Sequence, residues 1–142
     1  MKLVTFVSSE TGYLPLSDCP RVRSTTNSAL RGFLGLNASY AQEQPFAMYV
    51  PMDAEVLIGP EVEVTSILGQ SYIVHELVHA HQVVSGAAQR APCPGWLEGE
   101  AYRVQASYLK ARGLTEDAFE MEIFGMLQGS CAQAYHPELI LQ

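Results

Sequence analysis

The stretch from Val64 to Val84 limits the fold of this chain more than any other. Its apolar positions, among them Ile67, Leu68, Val74, Leu77 and Val78, recur at helical spacing and leave few faces polar. It therefore reads as a central, deeply buried helix. Inside it stands His75-Glu76-Leu77-Val78-His79. Histidines four residues apart lie one above the other, with about 5–6 Å between their Cβ atoms. At that spacing two Zn–N bonds of roughly 2.0–2.1 Å can meet at one ion. Glu76 lies about 100° further round the helix and reaches a water held there without being a ligand. A carboxylate and two imidazoles in an apolar helix are costly unless paired or bound to a metal. A pair of purely structural histidines would leave that cost unanswered. The pattern is the one a metalloprotease uses, with the glutamate as general base.

Length and composition bound the rest. A chain of 142 residues is expected to form a single domain over 1–142 with one sizeable core. Hydrophobic residues at 48% against 16% charged describe a globular protein. A net charge of −7 with only 8 Lys and Arg argues against a nucleic-acid partner, which would need a basic patch. Met1 to Val7 is too short for the core of a signal peptide, and no apolar stretch is long enough to span a bilayer. The chain reads as soluble, with its compartment open. Cys19, Cys93 and Cys131 show no paired metal-ligand spacing. A Cys93–Cys131 bridge and three separate thiols are equally compatible with the spacing.

In chain order, residues 2–7 read as a strand, with β-branched Val4, Thr5 and Val7, followed by an irregular stretch around Gly12, Pro15 and Pro20. Thr25 to Leu36 has helical spacing. Residues 46–50 and 55–59 read as two strands joined by Met52-Asp53-Ala54 in a hairpin. After the motif helix, the loop with Pro92 and Pro94 leads to a helix over Trp96–Arg112, capped by Gly113. A further helix opens at Thr115 and turns Phe119, Ile123, Phe124 and Leu127 inward. The expected class is α+β: a short antiparallel sheet on the HExxH helix, with about three further helices.

Catalytic zinc takes three protein ligands and keeps one position open. The remaining donors are Glu98, Glu100, His81, His136 and the cysteines. His81 lies about 200° round from His79 and should point away. Metzincins carry a further histidine on the motif segment, and none stands at the matching place here. Glu98 shares a helix face with Ala101, Tyr102 and Gln105, and small Ala101 would allow close helix approach. Glu98 is preferred over Glu100, which sits on a different face.

With Glu98-Gly99-Glu100-Ala101 following the first motif, residues 64–109 resemble the gluzincin branch of zinc metallopeptidases, especially its very small members, the minigluzincins. The second element is similar to the Glu-x-Glu-Ala helix of ImmA/IrrE-type metallopeptidases. The resemblance implies a zincin-like fold with His75, His79 and Glu98 as zinc ligands and Glu76 as the base. It also implies an upstream edge strand holding an extended peptide or protein substrate. Thermolysin-like members carry an aspartate four residues after the glutamate ligand, where this chain has Tyr102.

The expected chemistry is zinc-dependent peptide hydrolysis. The metal acidifies water and Glu76 passes the proton to the leaving amine. Tyr102, Tyr72 or His136 is expected to face the developing oxyanion, Tyr102 first because it shares a face with Glu98. Strand 55–59 is a candidate for pairing with a peptide. Two other readings compete: a zincin-fold binding or regulatory module with zinc and little turnover, and a small exported protease acting on one partner protein.

Overall fold

The computed structural model describes residues 2–34 and 46–131. Its elements in order are α1 (Lys2–Thr11), β1 (Arg21–Ser24), α2 (Asn27–Leu34), β2 (Ala47–Val50), β3 (Glu55–Ile58), α3 (Ile67–Val84), α4 (Ala87–Arg90), α5 (Pro94–Ala111) and α6 (Thr115–Gln128). Among the described residues the architecture is mixed α+β, with a three-stranded sheet and six helices.

The motif helix α3 starts where Ser66 caps it. The Ser66 hydroxyl accepts from Gly69 N–H at 2.9 Å and donates to the Glu63 carbonyl at 2.7 Å. This satisfies one of the orphan donors of the first turn. Only a glycine fits at position 69, because a Cβ there would lie 1.8 Å from the Glu63 oxygen. The helix is central, as its apolar pattern implies. Ile73, Val74, Leu77 and Val78 share one core with Val4 and Val7 of α1, Val56 and Ile58 of β3, and Val104 and Tyr108 of α5. Ala106 and Leu109 on the next face of α5 meet Ala118 and Met121 of α6 in a second cluster.

Four expectations need correction. Residues 2–7 are helical, inside α1. Val4 and Val7 are both buried, a spacing of three that one helix face supplies and one strand face cannot. The sheet is mixed, in order β1-β3-β2, with β1 parallel and β2 antiparallel to β3. Strand β1 carries no alternation because all four of its residues are exposed at an edge, where Arg21 and Arg23 hold buried Glu55 at 2.9 and 3.1 Å. Strand β3 is consequently the middle strand, buried throughout and paired on both sides, so it is not available to a peptide. On α6, Ala118 and Met121 face inward while Phe119 and Leu127 are more than half exposed.

The 46–50 and 55–59 hairpin is present as β2 and β3, with Ala47 opposite Ile58 and Tyr49 opposite Val56. Gly113, at φ +84°, ends α5 in the left-handed region that favours glycine. Cys93 and Cys131 form a disulfide, tying the residue before α5 to the end of α6. Gly35 and Leu36 of the expected second helix, and His136, lie outside the described residues.

Candidate metal centre

Helices α3 and α5 run side by side and bring His75, His79 and Glu98 together. His75 Nε2 lies 3.2 Å from Glu98 Oε2, and His79 Nε2 lies 3.0 Å from Glu98 Oε1. One ligand atom from each residue falls within 4.8 Å of the others. A tetrahedral site with bonds near 2.0–2.1 Å has edges of about 3.3 Å, close to these separations.

The outer nitrogens explain why the inner ones face one point. Ser71 Oγ donates to the Leu68 carbonyl at 2.6 Å, so it accepts from Gln105 Nε2 at 3.1 Å. That orients the Gln105 amide and turns its oxygen to His75 Nδ1 at 2.9 Å. An amide oxygen only accepts, so Nδ1 carries a hydrogen and Nε2 is the nitrogen left to face Glu98. His79 is held the same way. Gln82 Nε2 donates to the Leu97 carbonyl at 2.9 Å and to Glu100 Oε1 at 3.1 Å. Its oxygen therefore accepts from His79 Nδ1 at 2.8 Å. Both glutamines are buried.

Two imidazole nitrogens and a carboxylate aimed at one point need a positive charge among them, either a proton or a metal ion. The titration of these groups expresses the same need. Burial works against charging His79. The hydrogen bond to Glu98 and the charges of Glu76 and Glu98 outweigh it and raise its pKa to about 9. Burial likewise favours a neutral Glu98, but the hydrogen bonds from His75 and His79 hold its carboxyl far below the usual range. The donor set thus fits a divalent ion with two imidazoles and one carboxylate.

The remaining site residues fall around this centre. Glu76 lines the same cavity, and its Oε2 accepts from Tyr49 N–H on β2 at 2.8 Å. Tyr102 packs edge-on against the His75 ring, centroids 4.5 Å apart, and also lines the cavity. Tyr72 lines it further along, stacked on Phe46 at 4.9 Å. Glu100 stands apart from the ligands, accepting from Tyr13 Oη at 2.7 Å as well as from Gln82. His81 points away, as its position on the helix implies. Its Nδ1 donates to the Leu77 carbonyl at 2.8 Å and its Nε2 meets Ser8 Oγ at 3.0 Å. Sequence reasoning placed Gln105 on the Glu98 face but missed what it and Gln82 do. The available signal was their spacing, three residues after His79 and seven after Glu98.

A family model described as a domain of unknown function, DUF6647, matches residues 1–138. The chain belongs to the DUF6647 family. No curated protein and no solved structure matches this DUF6647 domain.

Proposed function

We propose that this domain is a zinc-dependent peptidase of zincin-like fold, with His75, His79 and Glu98 holding the metal and Glu76 acting as general base. The observation that carries this reading is the double lock on the imidazoles. Gln105 and Gln82 accept from both Nδ1 atoms, so both Nε2 atoms face the Glu98 carboxylate. When bound, zinc supplies Lewis acidity, which acidifies water and polarises a carbonyl.

The chain's own residues supply the rest. Tyr49 N–H fixes one oxygen of Glu76, leaving the other to take a proton from water and hand it to the leaving amine. The cavity beside it has a volume of about 930 Å³. Gly59 N–H bonds the Phe46 carbonyl at 2.8 Å, which sets the alternation of β2. The N–H and C=O groups of Ala47 and Tyr49 then point away from β3, toward the cavity side. The edge suited to an extended peptide is therefore β2. Tyr102 and Tyr72 remain the candidates for facing a developing oxyanion.

Metal analysis by mass spectrometry on wild type, His79→Ala and Glu98→Ala tests the site. Near-stoichiometric zinc in wild type and its loss from both variants is expected. Wild type without metal after zinc is restored would end this reading. Glu76→Gln should keep zinc and lose roughly 100-fold or more in cleavage of a peptide library. The engagement of Glu76 by Tyr49 favours a second reading, a zinc-holding module with little turnover. Zinc-loaded wild type that cleaves nothing would select it.

A further inference from the structure

The cavity over the candidate centre is lined by more than the three ligands. Leu68 and Tyr72, nearer the start of α3, line it together with Met121 and Phe124 of α6. Tyr72 precedes His75 by three residues, about 4.5 Å along the helix axis. This end therefore sits beside the position of a side chain next to the bond under attack. Its walls are apolar, yet two carboxylates also line it, Asp117 and Glu120. Three residues apart on α6, they share a face. Among the described residues neither is in an ion pair, whereas Lys110 of α5 is already engaged by Glu122.

Their charge is felt within the cavity. The Tyr72 phenol is pushed up first by burial, then by Glu120 and Asp117. An apolar lining that also carries two carboxylates outside any ion pair matches a side chain with an apolar stem and a cationic tip. A short or acidic side chain would leave the walls empty or meet repulsion.

Resting on the peptidase reading above, we propose that this end of the cavity receives a lysine or arginine side chain of the bound peptide. Its stem would lie between Tyr72, Met121 and Phe124, and its charge beside Asp117 and Glu120. The chemistry separates recognition from turnover, so the two can be tested apart.

The test uses the zinc-loaded 142-residue chain carrying Glu76→Gln and two sets of blocked alanine pentapeptides, one with a single lysine walked through each position, the other with norleucine. Calorimetry should show one lysine position bound about tenfold more tightly than its norleucine counterpart at low salt. The ratio should shrink at about 0.5 M salt. It should fall toward one when Asp117→Asn and Glu120→Gln are added. Equal affinities, no binding of either set, or a ratio that survives the two added substitutions would each overturn the inference. Library cleavage by wild type is read separately. Glu76-dependent cleavage without enrichment of basic residues would overturn this inference and leave the peptidase reading standing. Selective lysine binding without any cleavage would overturn the peptidase reading alone.

Discussion

Each imidazole of the candidate centre has its outer nitrogen committed to a glutamine, and each glutamine is itself fixed by a second partner. Outer partners of this kind typically carry 10–100-fold of metal affinity. Gln105→Leu should therefore weaken zinc binding by about that range in competition with a chromophoric chelator, while far-ultraviolet dichroism stays unchanged. The pairing of His75 with His79 was legible in the sequence because i, i+4 spacing puts them on one face of α3, and the expected Glu98, not Glu100, is the carboxylate grouped with them. The glutamine roles were not, because they exist only once α3 lies against α5. A different histidine on the same helix makes a pH prediction. Burial lowers the pKa of His81 from 6.5, partly opposed by its bond to the Leu77 carbonyl. The unfolded chain then binds a proton that the folded chain refuses. Stability is full above about pH 6.5 and falls as pH drops through 6.5 toward the lower folded value. Between pH 7.5 and 5.5 the denaturation midpoint of wild type should fall more than that of His81→Gln.

At the scale of elements, β2 and the α5–α6 pair position the site. Tyr49 N–H points away from β3 to Glu76, so a proline there removes no ladder bond. Tyr49→Pro should keep the fold and the zinc but lower cleavage about tenfold or more, since the base loses its orienting donor. Helix α6 reaches the cavity because α5 lets it come close. A Cβ on Gly99 would meet the Gly129 Cα at 3.0 Å, and one on Gly125 would meet the Tyr102 Cβ at 3.1 Å. Gly99→Val should lower stability by about 1–3 kcal/mol, read by chemical denaturation, and disturb Tyr102 with it. The two long helices could be read because their apolar faces carry the 3.6-residue period. Helix α1 could not, since Val4, Thr5 and Val7 favour a strand locally and only packing against α3 and Tyr108 decides otherwise. Strand β1 had no signal to offer, because a polar edge such as Arg21-Val22-Arg23-Ser24 owes its pairing entirely to β3.

For the whole molecule, composition and periodicity were enough for a mixed α+β class, but sheet order was not, since parallel pairing of β1 with β3 depends on contacts between distant segments. No described helix is long and apolar enough to cross a membrane. A covalent tie across the fold is the Cys93–Cys131 disulfide, which closes a loop with a sequence separation of 38. A loop of that size corresponds to roughly 4 kcal/mol of lost unfolded-chain entropy. Cys131→Ser should lower stability by about 2–4 kcal/mol, read from the urea midpoint. The tie also pins the first turn of α5, and Glu98 stands just beyond that turn. On the proposed metal reading, metal capacity is thereby linked to oxidation. Chain produced among reduced thiols would keep both histidines but present their carboxylate partner from a fraying helix end. On that reading, closing the bridge after synthesis would act as a maturation step that raises the affinity of the proposed site.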